Sequence, residues 1–236
     1  MTDKLTFSSV SECTLLINFN QPDSAELSAT IGRVTQAFYQ KLSHCIMNVT
    51  PSYTTILVDY LPHRIQLITL QKQLSDIIEK VQSEPENQVE RRLIELPVYY
   101  HPDVGPDLVR FEQNGNDIEQ TIALHTSTIY TVQATGFAPG FAFLGDVVTD
   151  IQCARHATPR LQVPKGSVAI ADNKTAVYPC DSPAGWNIIG NCPIALYDPN
   201  QSPMTPFSIG DQVKFVAINK AHFLELGGVI SEGWYE

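Results

Sequence analysis

Positive charge is scarce in this sequence. Fifteen Lys and Arg face 25 Asp and Glu, for a formal net charge of −10. Arg91-Arg92 is the one adjacent basic pair. A phosphate backbone would meet a repelling field, so nucleic acid is not an expected partner. Long apolar runs are missing too. None approaches the roughly 20 residues that a membrane span needs, and MTDKLTFSSV has neither the basic start nor the apolar stretch of a signal peptide. No membrane association is expected. Cysteine is sparse and odd in number: Cys13, Cys45, Cys153, Cys180 and Cys192 show no C-x-x-C spacing. Reduced, mostly buried thiols in a cytoplasmic protein are the expectation. The six histidines (44, 63, 101, 125, 156 and 222) form no H-x-H or HExxH pair, so no metal site is expected. Neither a G-x-x-x-x-G-K-[ST] phosphate loop nor a dinucleotide glycine fingerprint occurs.

What remains is an ordinary globular composition, 43% apolar over 236 residues. That length suits one large domain or two small ones. The first half alternates strands and helices. KLTF and TLLINF predict two strands around the turn-rich SSVSE. Asp23 and Glu26 are spaced as a capping box. Leu27, Ile31, Val34, Phe38 and Leu42 then lay one apolar stripe on a helix over about 24–43. CIMNV and YTTILVDYL predict a second strand pair, and Leu67, Leu70, Leu74, Ile77, Ile78 and Val81 a second helix. The order is ββαββα, a two-layer α+β domain over 1–86. SEPENQ, 83–88, reads as a linker.

Residues 87–236 read differently. RRLIELPVYY predicts a strand, GPDLVRF and DIEQTIALHT short helices, the second with Asp117 and Gln120 spaced as a cap. IYTVQA, SVAIA, TAVYP, WNIIG, PIALYD and QVKFVAI predict short strands, with a two-residue turn at Asp172-Asn173. Many short strands with turns between them predict an all-β barrel or sandwich. About half of the 16 prolines fall between Pro139 and Pro206, where they punctuate loops.

Three of these loops concentrate residues of special use: TGFAPGFAFLG, TPRLQVPKGSVAI and YPCDSPAGWNIIG. Gly136, Gly140, Gly166, Gly185 and Gly190 serve either plain turns or a lined pocket beside Phe137, Phe141, Tyr178 and Trp186. Tyr178 and Trp186 read as core or as ligand contacts. Arg160, held between prolines, suits a bidentate clamp on a carboxylate or an ion pair. His125 ends a predicted helix, as a cation favoured by the helix terminus or as a ring bonded to the chain. Lys165 and Lys174 suit an anion or plain solvation. Ser182 lies outside a G-x-S-x-G elbow and suits a substrate hydrogen bond or a turn.

These segments, with SPAGWNIIGNCPIALYD, FSIGDQVKF, GPDL and ALHT, resemble the family of the 5-oxoprolinase B subunit, which includes an inhibitor of the sporulation histidine kinase and the first subunit of enzymes called allophanate hydrolase. The likeness runs from about Leu96 to Ile218. It departs at Lys165 and Asp172, where the family has small residues. It departs again at Lys174 in place of Gln and at Ala176 and Ala184 in place of Gly. The resemblance implies a cyclophilin-like barrel for the second domain. It implies ATP-dependent opening of 5-oxoproline to glutamate by an assembly with 5-oxoprolinase subunits A and C, or a fused equivalent, this chain being inactive alone. On that resemblance Arg160 and His125 are the catalytic candidates, holding the substrate carboxylate and carrying a proton. Gly136, Phe137, Pro139, Phe141, Lys174, Tyr178, Ser182 and Trp186 would contact substrate or partner. ATP, with Mg, would be used by the assembly rather than held by this chain. A histidine-kinase regulator, or subunit 1 of an allophanate hydrolase or urea carboxylase-type enzyme, is the alternative. The tail 219–236 lies beyond the likeness.

Overall fold

A computed structural model describes residues 5–84, 91–113 and 115–230. The fold is mixed, with mostly antiparallel strands and few helices. It divides into two compact units, one of residues up to Arg91 with Ser208–Gly210, the other of Arg92–Phe207 with the chain after Gly210. No sequence signal marks the return of Ser208–Gly210 to the first unit. Most of the expected linker, 85–88, lies outside the described residues.

In the first unit, β1 (Thr6–Ser11), β2 (Thr14–Asn18), β4 (Thr55–Tyr60) and β3 (Ile46–Ser52) pair antiparallel in that order. The strand β1 runs through the SSVS read as a turn. Alternate residues of β2 and β4, Leu15, Ile17, Ile56 and Val58, are buried, as expected of a sheet covered on one face. Helices α1 (Ala25–Leu42) and α2 (Leu67–Ser83) turn the predicted leucine and isoleucine stripes into the same core cluster. The cap of α1 is Ser24, whose side chain accepts from Leu27 N–H at 3.1 Å, one residue beyond the expected Asp23. A serine hydroxyl performs this task as well as a carboxylate.

In the second unit, β5 (Leu93–Val98), β13 (Gln212–Ala217), β6 (Ile129–Thr135), β7 (Ala142–Gly145), β10 (Lys174–Val177), β9 (Ser167–Ala171) and β12 (Asn187–Asn191) pair in that order. The β5–β13 pair is parallel and the rest antiparallel. Tyr99, just past β5, exchanges both backbone hydrogen bonds with Asn191 of β12, at 2.9 and 3.0 Å. The strand path therefore returns to its start. A separate pair joins β8 (Arg160–Val163) and β11 (Ser182–Ala184). Helices α3 (Leu108–Gln113), α4 (Ile118–Ser127) and α5 (Lys220–Glu225) complete the unit. The Asp117 cap of α4 forms as expected, accepting from Gln120 N–H at 2.6 Å. Asp172 takes φ +51° in the β9–β10 turn, as its turn role requires.

PIALYD forms no strand; Pro193–Asp198 is irregular. Conversely β7, β8 and β11 arise inside the three segments read as loops. In the tail, α5 is capped by Asn219 and buries Phe223 against Tyr99 and Val104. Residues 231–236 lie outside the described residues. No helix among the described residues is long and apolar enough to cross a membrane.

Candidate functional site

Aromatic residues organise one wall of the second unit. Phe141, Tyr178 and Trp186 are buried with Val163, Ala169 and Ile188. Phe141 is the hub, with ring centroids 4.9 Å from Phe143, 5.3 Å from Tyr178 and 5.9 Å from Trp186, all edge-on. Edge-to-face geometry at these distances adds to the burial energy. Burial also raises the Tyr178 hydroxyl pKa, which nearby Arg155 partly offsets. Phe137 differs: it is 64% exposed and holds φ +69°, a conformation bulky residues rarely adopt. Gly140, at φ +84°, lets the loop turn against Leu196; a Cβ there would lie 2.5 Å from the Leu196 carbonyl oxygen. The loop borders a groove of about 440 Å³ lined by Gly136, Phe137, Pro139, Phe141, Thr205 and Phe207. Because Phe137 rests on solvent more than on protein, Phe137→Ala is expected to change stability by less than about 1 kcal/mol. A urea unfolding curve would check this.

The other sequence candidates do not line this groove. Lys174 Nζ is tied to Gln133 Oε1 and, at 3.2 Å, to Asp146 Oδ1. Ser182 Oγ is buried without a hydrogen bond among the described residues. His125 is fully buried. Its Nδ1 is 2.7 Å from the Tyr100 hydroxyl and its Nε2 2.9 Å from Thr175 Oγ1. Thr175 donates its single hydrogen to Ala169 O at 2.9 Å. Nε2 must therefore carry the ring hydrogen, and Nδ1 accepts from Tyr100. The ring also stacks on Phe215 at 4.5 Å. Burial pushes its pKa down to about 3. The helix-end cation is corrected accordingly: His125 is a neutral core group with both nitrogens committed and no face toward solvent.

Arg160 is part of a polar cluster that the sequence does not single out. Gly105 permits it: a Cβ there would lie 2.3 Å from the Ile189 carbonyl carbon, so only glycine lets this segment lie against β12. That approach brings Asp107 to Ile188, with Asp107 N–H donating to Ile188 O at 3.0 Å and Ile188 N–H donating to Asp107 Oδ2 at 2.6 Å. Arg160 then closes a two-pronged pair, Nη1 to Oδ2 at 2.9 Å and Nη2 to Oδ1 at 2.8 Å. His156 Nε2 lies 3.0 Å from Oδ1. The Asp107 carboxylate is buried and accepts four hydrogen bonds, so no lone-pair site is left for a ligand. Since a carboxylate only accepts, His156 donates from Nε2. Arg110 Nη1 lies 3.1 Å from Nε2 and 3.3 Å from Nδ1, and with Nε2 donating only Nδ1 can accept from it. Arg110 Nη1 also donates to Asn187 Oδ1. Asn187 is fully buried, and the two hydrogens of its amide nitrogen are shared among the carbonyls of Cys153, Ala154 and Ile170 at 3.0–3.2 Å. Of the two readings of Arg160, ligand clamp and ion pair, the structure shows the ion pair. The fork of Arg160 is filled by Asp107, and Arg110, which no motif in the sequence marks, shares the same cluster. GPDL and ARHATPR lie about 50 residues apart. Nothing in the spacing joins them, and their position near predicted loop ends is only a faint hint.

The chain matches the family described as the carboxyltransferase domain, subdomain C and D, over residues 5–207. It is similar to the 5-oxoprolinase B subunit of Bacillus subtilis (strain 168), 31% identical over 94% of this chain and 97% of that one. It is similar as well to the protein of that name from Haemophilus influenzae, 37% identical over 72% of this chain and 76% of the other. Its fold matches that of the Kluyveromyces lactis urea carboxylase at a TM-score of 0.68 and 15% identity, covering 98% of this chain and 23% of that longer one. The chain therefore belongs to the carboxyltransferase domain C and D family, together with proteins named as the B subunit of 5-oxoprolinase.

Proposed function

We propose that this chain is the B subunit of a 5-oxoprolinase, working in an ATP-dependent assembly with subunits A and C to open 5-oxoproline to glutamate. The observation that carries the reading is the end-to-end likeness to the Bacillus subtilis protein of that name. The second unit is read as a cyclophilin-like barrel, supported by the return of the strand path through Tyr99 and Asn191. A cytoplasmic location is supported by five cysteines that form no disulfide.

The lactam is a poor electrophile. In the assembly ATP supplies its terminal phosphoryl group to the carbonyl oxygen and leaves as ADP. Water adds to the carbonyl carbon, the ring C–N bond breaks, the nitrogen takes a proton, and inorganic phosphate leaves. Nucleotide and metal are assigned to the partner subunits. The sequence has no phosphate loop. This chain contributes a rigid polar cluster and the Phe137 groove, where it completes a site that a partner closes.

Reconstitution tests the reading. The chain alone is expected to release no glutamate from 5-oxoproline, and the three subunits together to release it only when ATP is present. A mixture that stays inactive while an authentic trio turns over under the same conditions would overturn the assignment.

A further inference from the structure

We infer that Arg110 is a carboxylate-binding residue, with its Nε/Nη2 edge as the docking face for a small carboxylate. The guanidinium carries five donors in a fixed plane. Arg110 spends only Nη1, on Asn187 Oδ1 and His156. Its Nε and Nη2 make no hydrogen bond, and no carboxylate pairs with it, among the described residues. Neither nitrogen is among the buried polar atoms left without a partner, so this edge reaches solvent. Two parallel N–H groups on one edge match the two oxygens of a carboxylate.

Charge arithmetic supports the same conclusion. Among the described residues one carboxylate, Asp107, is paired with this cluster, which holds two guanidiniums, Arg110 and Arg160, with His156 beside them. The cluster holds one positive charge more than its own acid balances, in a chain of net charge −10. Arg160 is already matched by Asp107 in a two-pronged pair, so the surplus resides on Arg110. A half-buried cation without a counter-charge is costly, and one added carboxylate offsets that cost. The side chain is also prepared for binding. Asn187 is locked by three backbone carbonyls, and His156 by Asp107, so little rotamer freedom of Arg110 remains to be lost. A single extra charge and a flat two-donor edge favour a monocarboxylate over a phosphate.

If the chain acts as proposed above, the ligand is 5-oxoproline, held by its carboxylate with the lactam left free to react. The inference that Arg110 takes a carboxylate stands apart from that identification. The test uses the full chain, isotope-labelled, with the Arg110 Nε–H resonance assigned by its loss in Arg110→Lys. Acetate and 5-oxoproline are expected to shift that resonance saturably. Pyrrolidinone, the same lactam without the carboxylate, is expected to leave it in place. Arg110→Lys keeps the charge but loses the fork, and is expected to weaken 5-oxoproline binding about tenfold or more. In an active three-subunit enzyme the same variant is expected to raise KM for 5-oxoproline more than it lowers kcat.

No shift with either carboxylate overturns the inference. So does an equal shift with pyrrolidinone, tighter binding of inorganic phosphate than of either carboxylate, or an Arg110→Lys variant that binds as the parent does. An inactive wild-type assembly would instead overturn the enzyme reading, and the titration of the chain alone would still decide the role of Arg110.

Discussion

Asp107→Ala is expected to lower the stability of the second unit by about 3 kcal/mol. The carboxylate accepts from Ile188 N–H, His156 and both prongs of Arg160. Removing it leaves the Ile188 N–H without its acceptor and Arg160 without its counter-charge. Arg160 keeps 19% of its side-chain exposure, so water recovers part of the loss, which places the effect at the low end for a broken buried pair. Asp107→Asn should cost less, because its amide oxygen can still accept from Ile188 N–H. Urea midpoints of the two variants give the comparison. Equal losses would show that charge alone matters here, and losses within about 0.5 kcal/mol of zero would show that the cluster does not hold α3 to β12.

Acid is expected to weaken the fold through His125. Burial holds its folded pKa at about 3, against an ordinary value of 6.5. The unfolded chain therefore binds one more proton than the folded chain between these two values, and stability falls with pH across that window. The contribution is complete above pH 6.5 and declines below it by about 1.4 kcal/mol per pH unit. From pH 6.5 to about 5 the loss from this residue is about 2 kcal/mol. His125→Gln keeps polar atoms for Tyr100 and Thr175 but cannot titrate. It should be less stable at neutral pH and flatter in its pH dependence by one proton. Unfolding free energies from about pH 5 to 7.5 measure the slope, and parallel curves for parent and variant would show that His125 is not its source.

The parts of this fold that are legible in sequence are the parts whose determinants are local. Leu27, Ile31, Val34, Phe38 and Leu42 mark α1 because one helical face must be apolar wherever it packs. SVAIA, Asp172-Asn173 and KTAV mark a hairpin because its turn and both strands lie within eleven residues. The failures have an equally physical origin. Strand β7 begins immediately after Gly140 and Phe141, and its identity rests on β6 and β10, which flank it. Strands β8 and β11 have four and three residues and exist by pairing with one another. PIALYD has the alternation of a strand but no neighbour supplies a ladder for it, and propensity without a partner does not make a strand.

The candidate site divides in the same way. Phe137, Gly136 and Pro139 are legible because unusual local composition sets them apart. Arg160 reads as a fork for a ligand or an ion pair, but its partner is not legible, since Asp107 reaches it only through the close approach of Gly105 to β12. Arg110 and Asn187 carry no local signature. Their roles depend on where a six-residue helix lands on a strand almost eighty positions later.

The placement of β13 has a bearing on how the polypeptide emerges from the ribosome. It lies between β5 and β6, the first two strands of its unit to be synthesised, and supplies the parallel partner of one and an antiparallel partner of the other. Until residues 212–217 have left the exit tunnel, both earlier strands present raw edges that invite pairing with other nascent chains. Completion of that layer must wait until the chain has been made through residue 217, more than a hundred residues after β5, which favours slow assembly and gives chaperones a long interval in which to act.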